Sequence, residues 1–327
     1  GLRRAQGPDG AFSASRAAFI GGAASTSNTL AGERLGIPVS GTMAHSWVMG
    51  FGSELESFEK YAEIYPGNCV LLVDTYDTLG SGVPNAITVF RKLRERGAPP
   101  MAVRIDSGDL EYLSVKARTM LDDAGLPEVK IFVSSDMDEW IMEHLRNSGA
   151  PIDAWGVGTR MVTGWGEPAL AGVYKIVAKD GGSGFEPCIK ISNQPEKVTN
   201  PGIKNVLRFF GADGQMLADL LCLEEEADDI LASTEKRLPV RFNHPSAEYA
   251  GFVMEEYGFA ERPLVPVMSG GRKTGTPPAL ADIREFRRQQ VEALDATYRR
   301  LINPHVYRTS LTDRLKKLKS DMIRARR

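Results

Sequence analysis

Residues 101–110 read MAVRIDSGDL, an apolar run that ends in charged residues and a turn. The same theme recurs along residues 36–158, where the runs lack polar alternation and so predict strands buried on both faces. Buried strands separated by helical stretches favour a parallel sheet with helical crossovers. The predicted strands are IPVSGTM at 37–43, CVLLVD at 69–74, MAVRID at 101–106, VKIFVSSD at 129–136 and IDAWGVG at 152–158.

A different organisation follows these strands. From about residue 172, YKIVAKDGGSGFEPCIKIS and VLRFFGADGQMLADLLCL predict antiparallel strands joined by Gly-rich hairpins. Residues 272–283 have the composition of a linker, and two amphipathic helices are predicted at 280–301 and 309–325. The helices expected between the parallel strands span 52–64, 83–97, 110–124 and 138–147.

The composition limits the class of protein. The 327 residues are 42% hydrophobic and 25% charged, which is typical of a globular enzyme and excludes a fibrous chain. A net charge of -2 argues against a nucleic-acid partner. Cys69, Cys188 and Cys222 lie far apart, so reduced thiols in a cytoplasmic protein are expected. Apolar runs are too short for a membrane span, and the start at Gly1 predicts missing upstream residues.

Polar residues follow the predicted strands at their carboxyl ends, the edge where parallel α/β folds gather their active sites. Because neighbouring strands end at the same edge, we expect these side chains to lie together and to form a site for anions and a metal ion. In chain order the candidates are Arg3, Asn28, His45, Asp74 with Asp77, Arg104 with Asp106, Ser135 with Asp136, and Gly158 with Thr159.

His45, in GTMAHSW, is the candidate nucleophile or acid–base group, because imidazole titrates near neutral pH. A structural histidine with satisfied hydrogen bonds is an equally open interpretation at this point. We interpret the other histidines as structural, since His144 and His244 lack polar neighbours and His305 lies in a predicted turn.

Arg104 and Asp106 alternate across Ile105, so both side chains leave the same side of a strand end. A guanidinium fork there suits a carboxylate or phosphate, and a carboxylate suits a sugar hydroxyl or a metal ion. A structural salt bridge is the alternative. Asp74 and Asp77, in VDTYDT, are candidates for binding Mg²⁺ through water, although helix capping explains them nearly as well.

The segment WGVGTRMVTG follows the last predicted parallel strand. Its Gly156, Gly158 and Thr159 are typical of a phosphate cradle, in which backbone N–H groups point at an anion. Arg160 either adds charge to this cradle or faces solvent.

Several ordered motifs together resemble the nicotinate phosphoribosyltransferase family: GLRRAQGPDGA, GTMAHSWVM, GFGSELESF, DTYDTL, RIDSGDL, GVGTRMVT, PEKVTNPG and LVPVMSGGR. The resemblance runs nearly from end to end. It implies an incomplete TIM-like α/β barrel with a smaller β-rich domain. The expected domains are a barrel at 1–178, a β-rich domain at 179–271, and a linker with C-terminal helices at 272–327.

The resemblance also implies a reaction and roles for the candidates. Nicotinate and phosphoribosyl pyrophosphate would give nicotinate mononucleotide and pyrophosphate, with Mg²⁺ required and ATP hydrolysis coupled through a phosphohistidine. The GTMAHSW motif then makes His45 the phosphorylated residue, and RIDSGD makes Arg104 and Asp106 contacts to the base and ribose. The implied binding set is completed by Arg3 at the base or phosphate and by Ser135, Asp136, Gly158 and Thr159 around the ribose 5′-phosphate.

Selectivity and assembly follow from the same resemblance. Nicotinamide-using relatives have an Asp near the position of Asn28, whereas Ser27 and Asn28 here carry no negative charge and suit a carboxylate substrate. Family members are usually dimers with the active site near the interface, so a homodimer is expected. They also continue upstream of GLRR, where they have a base-stacking aromatic residue.

Three alternatives stay open at this stage. The chain is a part of the enzyme that keeps the fold but needs further residues for turnover, or it uses nicotinamide as the base. The third alternative is a sugar-phosphate barrel enzyme without ATP coupling.

Overall fold

The computed structural model describes residues 2–247 and 249–326. The chain forms two compact units, one ending at Leu170 and the other beginning at Ala171, whereas the sequence placed the first boundary after residue 178. Among the described residues, no helix combines the length and apolarity needed to cross a bilayer.

The N-terminal unit contains a sheet of four parallel strands in chain order. The strands are β1 (Val70–Leu72), β2 (Ala102–Ile105), β3 (Lys130–Ser134) and β4 (Ala154–Gly156). The predicted α/β class with a parallel sheet is confirmed, and the four strands do not close into a complete barrel within the described part of the chain. The helices are α1 (Gly7–Gly21), α2 (Thr29–Leu35), α3 (His45–Met49), α4 (Glu54–Ile64), α5 (Val83–Glu95), α6 (Leu110–Asp123), α7 (Glu139–Asn147) and α8 (Thr159–Thr163).

Burial explains why these strands lack polar alternation. Leu71, Val103, Ile105, Ile131 and Val133 are all fully buried, because helices cover the sheet. Their apolar side chains form one core with the inner faces of α4, α5 and α6. The core fixes the positions of the strand ends.

The prediction of a strand at 37–43 is wrong. Only Val39 makes a single parallel bridge, to Thr26, and the segment otherwise runs extended into α3. Pro38 has no backbone N–H to donate, so a regular ladder cannot run through it. Its carbonyl accepts from the Thr26 N–H at 2.9 Å, which closes the bridge.

The C-terminal unit has a six-stranded mixed sheet in the order β10-β9-β14-β8-β7-β11. Both predicted hairpins are confirmed as antiparallel pairs, β5 with β6 and β7 with β8. The strands are β5 (Ala178–Asp180), β6 (Phe185–Pro187), β7 (Lys204–Phe210), β8 (Met216–Leu223), β9 (Val240–Asn243), β10 (Gly251–Met254), β11 (Phe259–Glu261), β12 (Met268–Ser269), β13 (Arg272–Lys273) and β14 (Thr309–Leu311). The helices are α9 (Ala227–Glu235), α10 (Leu280–Glu292) and α11 (Asp313–Arg324).

Both C-terminal helices are shorter than predicted. The first ends at Glu292, because the next residue, Ala293, accepts the Met216 N–H of β8 at 2.7 Å. The second does not begin at Thr309, which starts β14 between β8 and β9. A run of three residues is too short to show the periodicity that would distinguish a short inner strand from the start of a helix.

Candidate active site

The candidate site lies where the parallel strands end. Asp74 follows β1, Asp106 and Ser107 follow β2, Ser135 and Asp136 follow β3, and Gly158 follows β4. The expectation that these residues share one edge is met by the strand order, which places successive strands side by side.

Asp74 joins three parts of this edge through a side chain that is only 2% exposed. Its Oδ1 lies 3.2 Å from His45 Nε2. Its Oδ2 accepts from the Asp106 backbone N–H at 2.8 Å and from the Ser107 hydroxyl at 2.7 Å. Both oxygens of the carboxylate are therefore engaged, and they fix the imidazole relative to the turn after β2.

A tight packing contact holds Asp74 in place from behind. The chain after Asp77 forms a π-helical turn, Thr78–Gly82, before α5. Gly82 is buried against the carbonyl of Val73, and a Cβ at this position would overlap that oxygen. Only glycine allows α5 to approach the end of β1 this closely.

His45 begins α3 and has a side chain that is 39% exposed. Because Nε2 faces the Asp74 carboxylate, we assign the proton to Nε2, which leaves a lone pair on Nδ1. A carboxylate that orients an imidazole and stabilises its charged form is the arrangement found behind nucleophilic or basic histidines. The sequence left open whether His45 is reactive or purely structural, and its surroundings favour the reactive role.

Arg104 is held by four hydrogen bonds within the chain. Its Nε donates to Ser134 Oγ at 2.8 Å, and its Nη2 donates to Asp106 Oδ1 at 2.7 Å. Its Nη1 donates to Thr42 Oγ1 at 2.7 Å and to the Met43 carbonyl at 3.3 Å. One N–H of Nη2 remains without a partner among the described residues. In this arrangement Arg104 offers a substrate a single donor, and not the two-pronged fork expected from the sequence.

Asp106 shares the same network. Its Oδ1 also accepts from the Ser134 hydroxyl, whereas Oδ2 has no hydrogen-bond partner in the described part of the chain. Partial burial opposes ionisation, but the hydrogen bonds from Ser134 and Arg104 outweigh it, so the pKa of Asp106 lies below its ordinary value. The carboxylate is therefore charged at neutral pH, with one oxygen directed away from the network.

Ser135 and Asp136 are exposed and line a cleft of about 510 Å³ between the first turns of α6 and α7. Ser135 has φ 132°, a backbone conformation that costs a residue with a Cβ roughly 1–3 kcal/mol. Apolar side chains such as Ile141 line the cleft together with Arg160. Its volume lies within the range of small-molecule sites.

Arg160 forms an ion pair with Asp138, the residue that caps α7. Its guanidinium also lies 5.7 Å from the ring centroid of Trp165. The sequence left two roles open for Arg160, an added charge in the phosphate cradle or a solvent-facing side chain. In the structure Arg160 is neither a free cation nor a fully solvated side chain, because it connects α8 to the start of α7.

Arg3 lies in a short 3-10 turn, Leu2–Arg4, that contacts α8. Gly158 precedes the first residue of α8, Thr159. The structure therefore brings the chain start close to the predicted phosphate cradle. The roles of Arg3, Gly158 and Thr159 in binding stay predictions.

Asn28 is buried, and its side chain is occupied as the N-cap of α2. Its Oδ1 accepts from the Ala31 N–H at 3.1 Å, and its Nδ2 donates to Ser15 Oγ at 3.2 Å. Ser27 beside it is exposed. The structure does not present the Asn28 carboxamide to solvent, and its role in base selection stays a prediction.

Asp77 acts as a helix cap, the alternative that the sequence left open. Its Oδ1 accepts from the N–H groups of Leu79 and Gly80 at 3.2 and 2.8 Å. Asp74 and Asp77 therefore serve different partners. Over residues 2–247 and 249–326, no cluster of three or more His, Cys, Asp or Glu side chains has metal-binding geometry.

Sequence reasoning missed Ser134 and Thr42, the two hydroxyl groups that hold Arg104. Ser134 is the last residue of β3 and is 6% exposed. A signal was present, because in VSSD the first serine falls at an inward strand position next to Arg104 and Asp106 on the neighbouring strand. For Thr42 the sequence carries no signal, since it lies 62 residues from Arg104.

Comparisons with known proteins identify the family of the chain. A family model for the nicotinate phosphoribosyltransferase C-terminal domain matches residues 203–319. A nicotinate phosphoribosyltransferase of Mus musculus is 33% identical over 372 residues, which covers 97% of this chain and 67% of the relative. The chain belongs to the nicotinate phosphoribosyltransferase family. The resemblance inferred from the motifs is thus confirmed.

Two further comparisons define the extent of the match. The nicotinate phosphoribosyltransferase of Bacillus subtilis is 41% identical over 315 residues, 96% of this chain. The crystal structure of human nicotinic acid phosphoribosyltransferase superposes with a TM-score of 0.75 at 28% identity, covering 99% of this chain and 69% of the human chain. The chain spans 62% of the length of the Bacillus subtilis member of the family.

Proposed function

We propose that this chain carries the catalytic residues of a nicotinate phosphoribosyltransferase. The reaction would join nicotinate to phosphoribosyl pyrophosphate, giving nicotinate mononucleotide and pyrophosphate for NAD biosynthesis. The observation that carries the proposal is the linked arrangement of His45, Asp74, Asp106 and Arg104 at the strand ends of a family member. These residues combine a nucleophile with charged groups suited to sugar phosphates.

His45 is the proposed site of phosphorylation by ATP. Its Nδ1 lone pair would attack the γ-phosphorus, the bond to the β–γ bridging oxygen would break, and ADP would leave. The proton on Nε2 stays against Asp74, whose negative charge stabilises the imidazolium that forms. Attack of water on the phosphohistidine would then release phosphate and restore the neutral ring.

Asp106 and Arg104 are the proposed contacts for the ribose and base. The ring nitrogen of nicotinate attacks C1 of the ribose, the C1–O bond breaks, and pyrophosphate leaves with the electron pair. Positive charge builds at C1, so the ionised Asp106 carboxylate stabilises it or accepts from a ribose hydroxyl. The single available N–H of Arg104 would donate to the nicotinate carboxylate or to a phosphate oxygen.

Mg²⁺ is part of the proposal because phosphoribosyl pyrophosphate carries several negative charges. The donor set suits an ion shared with substrate, since Mg²⁺ typically takes one or two carboxylates together with phosphates and water. Asp106, through its free Oδ2, and the exposed Asp136 are the proposed ligands. Both oxygens of Asp74 are already engaged, and Asp77 holds the turn before α5 through its Oδ1. When bound, the ion supplies positive charge that stabilises the pyrophosphate leaving group.

The direct test incubates the protein with labelled nicotinate, phosphoribosyl pyrophosphate and Mg·ATP and measures nicotinate mononucleotide. Labelled ATP should also leave an acid-labile phosphate on the protein, which His45→Ala removes. Mononucleotide formation that is insensitive to ATP, together with no acid-labile label, would support a sugar-phosphate enzyme without ATP coupling. A preference for nicotinamide at equal concentration would contradict the choice of base.

A second candidate is a part of the enzyme that needs further residues for turnover. It is favoured by the 62% share of the Bacillus subtilis relative that the chain spans. In that case the chain alone would label at His45 but form no mononucleotide, and adding the remaining segment of a full-length family member would restore turnover. A homodimer and a cytoplasmic location are further predictions, which light scattering and cell fractionation test.

A further inference from the structure

Gly156 lies on β4 directly opposite Ser134 on β3. A Cβ added to Gly156 would come 2.9 Å from Ser134 Cβ and 3.0 Å from the Cζ atom of Phe132. Both distances are shorter than the contacts that Cβ atoms normally make, and the Cβ atom of Ser134 is attached directly to the backbone of β3. Any larger residue would therefore displace these two side chains.

Both displaced side chains support Arg104. Ser134 Oγ accepts from Arg104 Nε at 2.8 Å and donates to Asp106 Oδ1. The ring centroid of Phe132 lies 6.0 Å from Arg104 Cζ. Ser134 is almost completely buried, so its hydroxyl serves the chain and not solvent. A shift of Ser134 would release one edge of the guanidinium and one hydrogen bond to Asp106.

We propose that Ser134 and Gly156 are positioning residues for the reaction. Ser134 holds Arg104 and Asp106 together, and Gly156, by lacking a side chain, lets Ser134 and Phe132 occupy the positions that this requires. The pair leaves one N–H of Arg104 and one oxygen of Asp106 for ligands. Neither residue touches substrate. This inference rests on the proposed function for its kinetic test and on the geometry alone for its structural test.

The kinetic test compares Gly156→Ala, Ser134→Ala and the double variant, with Gly67→Ala as the control. Gly67 has open space around its Cβ position and lies in the turn before β1. Each site variant should lower kcat/KM by roughly 10- to 100-fold, because small misplacements of reacting groups have effects of this order. The Gly67 variant should match the unsubstituted protein.

The double variant separates positioning from packing. In Ser134→Ala there is no hydroxyl left for Gly156→Ala to displace, so the two losses in kcat/KM should be less than multiplicative. The clash with the Cβ atom of residue 134 persists, so the double variant should still be less stable than Ser134→Ala. Multiplicative kinetic losses would overturn the inference, as would losses explained by the unfolded fraction alone.

A second measurement does not depend on turnover. The Nε–H of Arg104 should give an NMR signal that is protected from solvent exchange, assigned by its absence in Arg104→Lys. Protection should be lost in Ser134→Ala and Gly156→Ala and kept in Gly67→Ala. An unsubstituted protein without activity but with this pattern would contradict the proposed function and support the inference. Protection that survives both site substitutions would overturn the inference whatever the activity.

Discussion

Each unit of the chain contains an arginine paired with an aspartate, and the two pairs are exposed to a similar degree. The side chains of Arg104 and Asp106 are 21% and 29% exposed, and those of Arg208 and Asp219 are 23% and 14% exposed. Exposure therefore does not distinguish the pair in the candidate active site from the pair in the C-terminal sheet.

The two pairs differ in whether a carboxylate oxygen is left unused. Arg208 on β7 lies opposite Asp219 on β8, and its Nε and Nη2 donate to both carboxylate oxygens at 2.8 Å. Tyr307 donates to the same carboxylate at 3.0 Å, and Gln290 accepts from Arg208 Nη1 at 3.1 Å. Asp106, at a strand end, gives only Oδ1 to its network.

The difference lies in strand position. In the cross-strand pair both oxygens of the Asp219 carboxylate are engaged by Arg208 and Tyr307, which makes the pair a structural element. A pair at the carboxyl end of a parallel strand has loops on one side only, so hydrogen-bonding capacity remains for a ligand. The unused carboxylate oxygen of Asp106, rather than exposure, is the property that marks the site.

The largest effect is expected from Arg104→Lys. Lysine cannot bond Ser134, Thr42 and Asp106 at once, because it lacks the planar fork. We expect kcat/KM for mononucleotide formation to fall roughly 100-fold. Steady-state kinetics measure it, with circular dichroism to check that the variant is folded. Activity within twofold of the parent would contradict the assignment of this pair to the site.

The matched substitution Arg208→Lys should have the opposite profile. It removes a two-pronged bond to Asp219, so the free energy of unfolding should fall by about 2 kcal/mol, while kcat/KM of the folded protein stays unchanged. Chemical denaturation measures the loss. If Arg208→Lys impaired catalysis and spared stability, the unused carboxylate oxygen of Asp106 would not be the property that separates the two pairs.

The sequence predicted the parallel strands after residue 68 because burial on both faces leaves continuous apolar runs, as at Val103 and Ile105. The prediction from sequence failed at 37–43, where Pro38 interrupts the ladder. It also failed at Thr309, where a strand of three residues is too short to show a periodic pattern. Such short elements are fixed by tertiary contacts and not by local pattern.

The candidate site was predicted from the residues at strand ends, because the carboxyl ends of parallel strands lie at one edge of the sheet. What the sequence could not give is how hydrogen-bonding capacity is divided among them. Asp74 and Asp77 are equivalent in VDTYDT, yet one faces His45 and the other caps a helix. That division depends on the approach of α5 at Gly82, a contact between segments that no local motif encodes.

Asp74→Asn should have a smaller effect than Arg104→Lys. The amide keeps the shape of the side chain but removes the charge that stabilises a protonated His45, and one of its atoms no longer accepts hydrogen bonds. We expect phosphorylation of His45 by ATP to slow roughly tenfold or more, in the range seen when groups that orient a reactive ligand are changed. Quench-flow with labelled ATP measures the rate.

A control for Asp74→Asn is Asp77→Asn, in which the side chain still accepts from the N–H groups of Leu79 and Gly80. The rate of phosphorylation should match that of the parent. Equal slowing in both variants would indicate a general effect of negative charge near the site, and would count against a specific role for the Asp74 contact.

The smallest effect is expected at Asn28, a predicted site residue whose carboxamide is already occupied within the chain. By the same criterion it is structural, so Asn28→Ala should lower the free energy of unfolding by about 1 kcal/mol, as for other N-caps. The preference for nicotinate over nicotinamide should not change. Asn28→Asp keeps the cap on Ala31 but replaces the Nδ2 donor by a buried carboxylate oxygen, so it should also lose stability. If Asn28→Asp instead shifted the preference towards nicotinamide, the base would lie within reach of this side chain, and full internal occupancy would not exclude a residue from the site.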